Sequence, residues 1–426
     1  MSKSRSSRSN KAGSSGRSQR PPGLTLSGIA AGILLLIAVI LQAAGVDLLG
    51  TGGSPTPTGE VVAGTPAGTP IAEVVPSFNV VFSAPTGSTD PTTYVNGPDT
   101  VLAAAIDRAT QTVDVAAFEL NSPAIAGALL NAHWRGVAVR LVVDDQHGLD
   151  VEAYQAYLEA DEDEREDIAD EMETPPDETL LDDLFDAGIP IVDDDDRDFM
   201  HNKFVIIDHT TVWTGTMNLT INGSYRNNNS LISVRSQRMV ADYEAEFNEM
   251  FVDQQFGPQS PANTPFPQMV IDGVPVEVYF APEDNVVPQI VAEIQAARST
   301  IRFMAFSFTL DELGQAMLAR AAEGVQVQGI FDQLNSGGFR FNQIVPLFCN
   351  GQDVRWDGNP FILHHKVILI DDSTVLVGSF NFSQSATNDN DENLVIIHDP
   401  RIAARFVAEF NARFAEASVP NNIPCG

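Results

Sequence analysis

The sequence predicts an α/β protein built from two tandem copies of one unit, each a mixed β-sheet flanked by helices, and three observations carry that reading. His-x-Lys-x4-Asp, followed seven positions later by Gly-[Ser/Thr]-x-Asn, occurs at 201–218 and again at 364–381, an offset of 163. Upstream, TVDVAAFEL at 112–120 matches TIRFMAFSF at 300–308, and GVAVRLVVD at 136–144 matches GVQVQGIFD at 324–332, both at an offset of 188. Between these blocks, short apolar runs alternate with stretches of helical periodicity, the pattern of a sheet covered on both faces.

Taken in order along the 426 residues, positions 1–23 carry six basic residues and no acid, a cytoplasmic tail in kind. Residues 24–46 form an uncharged apolar run of 23, long enough to cross a bilayer as a transmembrane signal anchor with its basic end inside. Cleavage near Ala43-Ala44-Gly45 and secretion is the alternative. A Gly/Thr/Pro-rich linker follows at 47–77, then repeat 1 at 78–256, a second linker at 257–269, repeat 2 at 270–418 and a tail at 419–426. Each repeat reads as strand, helix, strand, helix, strand, a hairpin, and a final strand and helix. The closing helices share Ala-Glu-Phe-Asn at 245–248 and 408–411.

The fall in offset from 188 to 163 gives repeat 1 an extra 25 residues before His201. Residues 151–198, with Asp-Glu-Asp-Glu at 161–164 and four aspartates at 193–196, read as an acidic insertion too charged for core and solvated on the rim. A divalent-cation role for it finds no regular calcium-loop spacing.

Within each motif four apolar residues separate Lys from Asp, the mark of a strand buried on both faces. Side chains alternate along a strand, so His201 and Lys203, and likewise His364 and Lys366, project from one face about 6 to 7 Å apart. A hairpin then carries Asn218 or Asn381 back towards them. Asp208 and Asp371 lie an odd number of positions from their Lys and read as braces of the turn. His133, His147, His209, His365 and His398 fall outside the paired pattern and read as structural or exposed.

This duplicated pattern resembles the HKD signature of the phospholipase D superfamily. The resemblance implies two lobes about a pseudo-two-fold axis sharing one site, no metal and no other cofactor. It implies a phosphohistidine formed on one imidazole while the other protonates the leaving oxygen, with His201 as nucleophile and His364 as general acid. Lys203, Lys366, Asn218 and Asn381 would hold the non-bridging oxygens. A further acid normally follows each motif and orients an imidazole. Glu392 fills that position in the second copy, but Asn229 stands in the first, a departure, since an amide holds a ring without stabilising its charge. Thr216 replaces Ser379 with the hydroxyl kept. Two imidazoles in different protonation states imply a bell-shaped pH profile.

Composition bears on the substrate. The formal charge is −33, and about −39 once the basic tail is set aside, a field opposed to nucleic-acid binding. The expectation is therefore a membrane-anchored, extracytoplasmic phosphodiesterase acting on phospholipid by hydrolysis or phosphatidyl transfer, active as a monomer because both half-sites lie in one chain. The alternatives are an exported endonuclease of the same superfamily, a cardiolipin-synthase-like transferase and a non-catalytic binding protein. Cys349 and Cys425 are the only cysteines; they either close one loop of about 75 residues, worth on the order of 4 kcal/mol, or stay free thiols.

Overall fold

A computed structural model describes residues 77–160, 165, 179–194, 198–334, 342–421 and 423–425. The basic tail, the 24–46 span, nearly all of the first linker and the most acidic part of the insertion lie outside these residues. Among the described residues no helix is long and apolar enough to cross a membrane.

Repeat 1 forms a seven-stranded sheet. Its strands are β1 (Phe78–Phe82), β2 (Thr112–Ala117), β3 (Ala138–Val143), β4 (Ile191–Asp193), β5 (Lys203–Ile207), β6 (Thr211–Gly215) and β7 (Ser230–Arg235), in the order β1-β7-β6-β5-β2-β3-β4. Repeat 2 forms an eight-stranded sheet from β8 (Gln268–Ile271), β9 (Val274–Ala281), β10 (Thr300–Ala305), β11 (Gln326–Phe331), β12 (Asp353–Trp356), β13 (Lys366–Ile370), β14 (Thr374–Gly378) and β15 (Glu392–His398), in the order β12-β11-β10-β13-β14-β15-β9-β8. The sheets match strand for strand except β8, an edge strand of repeat 2 alone. It starts at Gln268, inside the stretch read as linker, because it pairs in register with β9.

Three apolar cores hold these layers together. The outer face of the first sheet packs against α1 (Pro98–Ile106) and α2 (Pro123–Trp134), and that of the second against α3 (Val286–Ala296) and α4 (Asp311–Ala322). The third core draws on both repeats: Phe204, Tyr243 and Phe247 meet Phe280, Val367 and Phe406 within it. It is supplied largely by the closing helices α5 (Gln237–Phe251) and α6 (Pro400–Glu416), which lie between the sheets. Burying the inner faces against each other makes the two repeats one body.

The acidic stretch 151–198 is not all rim, which corrects the sequence reading. Tyr154, Leu181, Leu184, Ile189 and Ile191 are buried in the core of repeat 1, and β4 extends the sheet beside β3. Mean acidity concealed amphipathic segments whose apolar residues fall on one side. At the other end, Cys349 and Cys425 are joined in a disulfide, so the tail is tied back to repeat 2.

Candidate active site

Strands β5 and β13 are buried along their whole length and begin at Lys203 and Lys366, which places His201 and His364 at the mouth of each sheet. The hairpins that follow turn through two left-handed residues, Asp208-His209 and Asp371-Asp372. Asp208 accepts the backbone N–H groups of Thr110, Gln111 and Thr112 at 2.9, 2.7 and 3.1 Å. Asp371 does the same for Arg298, Ser299 and Thr300 at 2.8, 2.7 and 3.0 Å. These carboxylates pin each turn to the start of the neighbouring strand, away from the imidazoles.

The two repeats meet through paired bridges, Met200 beside Asp391 and Asn228 beside Leu363. That crossing decides which residue orients which ring. Glu392 of repeat 2 reaches His201 of repeat 1, Oε2 to Nδ1 2.8 Å, and Asn229 of repeat 1 reaches His364 of repeat 2, Oδ1 to Nδ1 3.0 Å. The Asn229 amide is fixed by donating to the Gly223 carbonyl and accepting from the Thr216 hydroxyl. With Oδ1 as acceptor, His364 Nδ1 carries the hydrogen and leaves Nε2 free. Thr216 and Ser379 have equivalent second duties, each accepting the backbone N–H of the strand beside it at 2.9 Å.

Each lysine is held the same way in both halves. Lys203 donates to the His201 carbonyl at 2.5 Å and lies over the Phe118 ring at 4.8 Å. Lys366 donates to the His364 carbonyl at 3.0 Å and lies over Phe306 at 4.6 Å. Both phenyl rings also meet the imidazoles edge-on, 4.8 Å between centroids.

His201, His364, Asn218 and Asn381 line one cavity of about 620 Å³. Phe118, Phe199, Phe306 and Ile362 form its apolar wall, and among the described residues Glu119 is the only lysine, arginine or acid on its lining. The side-chain oxygens of Asn218 and Asn381 are buried without a hydrogen-bond partner.

Burial, aided by the two lysine charges, holds both imidazoles well below their ordinary range. Burial lowers Lys203 to about 7 and Lys366 well below its usual value. Burial likewise pushes Glu392 up to about 8, against the pull of Lys203. Every charged form is therefore disfavoured in the empty cavity. An entering anion reverses that, restoring protons to lysine and imidazole by direct attraction.

The comparisons with known proteins agree with this geometry. The family described as cardiolipin synthase, PLD-like domain, matches residues 102–251 and 290–414. The chain belongs to the phospholipase D superfamily. Among superfamily relatives, a phospholipase D of Rickettsia typhi is 31% identical over 144 residues, covering 34% of this chain and 70% of that protein. The mitochondrial cardiolipin hydrolase of Xenopus tropicalis is 30% identical over 135 residues, 31% of this chain and 63% of the relative. The phosphatidylserine synthase structure from Haemophilus influenzae Rd KW20 covers 76% of this chain and 88% of its own at a TM-score of 0.52 and 15% identity, a likeness of fold. The phospholipase D superfamily assignment makes the protein a phosphodiesterase-type enzyme.

Several residues at the site were not legible as such in the sequence. Phe118 and Phe306 carry the lysines, a role that no motif marks. His147 read as structural or exposed, but it stacks on Phe118 at 4.5 Å and meets the buried Asp144 at 2.9 Å, next to His201. Asn202 and Asn393 form a buried link between the repeats, Nδ2 of Asn393 donating to Oδ1 of Asn202 at 2.8 Å. Among the described residues two groups of acids and one group of two glutamates with His398 could hold a metal, and none includes His201 or His364.

Proposed function

We propose that the protein hydrolyses the phosphodiester of phospholipid head groups through a phosphohistidine on His201. The observation that carries the role of each imidazole is the unequal pair of partners: a carboxylate at His201 and a neutral amide at His364. Covalent attack leaves His201 with a positive ring, which Glu392 balances; His364 must instead give and take a proton, which a neutral partner leaves it free to do.

In this reading Nε2 of His201 attacks phosphorus as the bond to the head-group oxygen breaks, and His364 passes its proton to that oxygen. His364 then takes a proton from water, whose oxygen attacks phosphorus and breaks the P–N bond, releasing phosphatidate and neutral His201. Lys203 and Lys366 balance the charge on the non-bridging oxygens, and the amide N–H groups of Asn218 and Asn381 donate to them. Transfer to an alcohol in place of water uses the same steps.

A lipid is favoured over a polynucleotide because, apart from Lys203 and Lys366 buried behind it, the described cavity lining offers no lysine or arginine to track a phosphate backbone, and the whole chain is strongly acidic. The names of the relatives, a phospholipase D and a cardiolipin hydrolase, point the same way. The reading places the enzyme as a monomer outside the cytoplasm, tethered by residues 24–46; the disulfide supports an oxidising compartment. The test offers the detergent-solubilised full chain phosphatidylcholine, cardiolipin, single-stranded DNA and an artificial diester, with and without chelator. Phosphatidate release that survives chelator and is lost in His201→Ala is expected. DNA cleavage without lipid turnover overturns the lipid assignment.

A further inference from the structure

The pseudo-symmetry of the two repeats supplies an internal control for one buried cluster outside the active site. Glu409 on α6 pairs with Arg413 at 3.2 Å and has the imidazole of His365, whose charged form burial disfavours, at 3.6 Å. Its counterpart at the 163-residue offset is Glu246 on α5, and there Arg413 is replaced by Met250 and His365 by Asn202. Repeat 1 has thus lost the guanidinium and the imidazole while keeping the acid. It has also gained acids: Glu249 stands where repeat 2 has Ala412, and Glu283 of repeat 2 closes over the pair. Asp391 joins them, where repeat 1 has Asn228.

Glu246, Glu249 and Asp391 are 2%, 3% and 2% exposed, so water does not screen them. The strongest charged influences on each of the four are other acids, and among the described residues none takes part in an ion pair. Oε1 of Glu249 and Oε2 of Glu283 are buried with no hydrogen-bond partner. Unpaired buried carboxylates cost several kcal/mol each, on the order of the desolvation penalty, unless a cation or protons offset them. Burial pushes Glu249 up to about 7, and burial with the nearby charge of Glu249 pushes Glu283 up to about 8.

We propose that Glu246, Glu249 and Glu283, with Asp391 beside them, bind a calcium ion at the junction of the two repeats. One oxygen from each glutamate lies within 4.8 Å of the others, about twice a calcium–oxygen distance of roughly 2.3 to 2.6 Å. The set is all oxygen, which disfavours zinc, and it is buried, which disfavours magnesium with its retained waters. The ion would act on the active site through position. Glu246 accepts from Asn202 at 2.7 Å, next to His201, and Asp391 precedes Glu392. It takes no part in the phosphodiester chemistry, and its test stands apart from the function proposed above.

Chelator-stripped full-length protein in detergent is unfolded thermally in CaCl2, in MgCl2 and in NaCl of equal ionic strength, and calcium binding is measured by calorimetry in two buffers of different ionisation enthalpy. The expected result is a rise in Tm of several degrees with calcium, larger than with magnesium, and release of protons on binding. Glu249→Gln/Glu283→Gln should weaken calcium binding about tenfold or more, as charge count sets affinity at such sites. If that pair fails to fold, Glu283→Gln alone, at the half-buried edge, gives the same reading. Asp145→Asn, in a different acidic group, should keep the full calcium increment. The proposal is overturned if calcium raises Tm no more than sodium, or if the increment survives the glutamate changes, whatever Asp145→Asn does.

Discussion

Replacing Glu392 by Gln keeps the size of the side chain and a hydrogen-bonding oxygen but removes the charge that faces His201 Nδ1 at 2.8 Å. When His201 becomes positive in the transition state, two opposite unit charges about 4 Å apart at an effective dielectric of about 20 attract by about 4 kcal/mol. Lys203 competes for the same carboxylate and burial disfavours its ionised form, so part of this is lost. A net of about 2 to 3 kcal/mol remains, which is roughly a 30- to 150-fold fall in kcat at about 1.4 kcal/mol per decade. Asn229→Ala removes a neutral hydrogen bond to His364, worth about 0.5 to 1.5 kcal/mol, and should cost about 2- to 13-fold. Steady-state release from an artificial diester gives both numbers. Phosphoenzyme trapped in denaturant at alkaline pH, where the P–N bond survives, should form more slowly in Glu392→Gln and so assign the loss to the attack step, and near-ultraviolet circular dichroism checks that both variants are folded. Equal losses, or a greater loss in Asn229→Ala, would refute the division of roles between the imidazoles.

In His364→Ala the first-turnover release of the leaving group should fall far more on a phospholipid than on a p-nitrophenyl diester, whose leaving group needs no proton; equal losses in that first turnover argue against His364 as the acid. The pH dependence follows from the lowered imidazoles. Attack needs neutral His201, favoured above its pKa, while leaving-group protonation needs charged His364, favoured below its own, so kcat/KM should peak on the acid side of 6.5. Bound phosphate raises both groups, and the kcat profile should lie to its alkaline side; coincident profiles would contradict this electrostatic account. Asp371→Ala strips the acceptor from three backbone N–H groups and should lower stability by about 1 to 3 kcal/mol in urea unfolding, with kcat of the folded fraction kept. A fall in kcat without a fall in stability would make Asp371 a catalytic group.

The sheet content and the paired His-x-Lys sites were legible because both rest on short periodicities: two residues along a strand, and a fixed count from Lys to the turn. The crossed partners were not. Glu392 lies 28 residues after His364 and 191 after His201, and only the bridge that sets Asp391 beside Met200 sends it to the distant ring. Nothing in one dimension marks the lysine above Phe118 or Phe306. The acidic stretch misled for a related reason. Its average charge outweighed Tyr154, Leu181 and Ile191, whose burial depends on which side of an element each one occupies.

The exchange of Glu392 and Asn229 across the junction also constrains how a substrate gets in. A hinge that swung the lobes apart would pull the acceptor off both rings together, so opening and competence exclude each other. A substrate that enters by the cavity mouth leaves both acceptors on their rings, whereas one that needs the lobes parted must wait for them to close again before attack can begin.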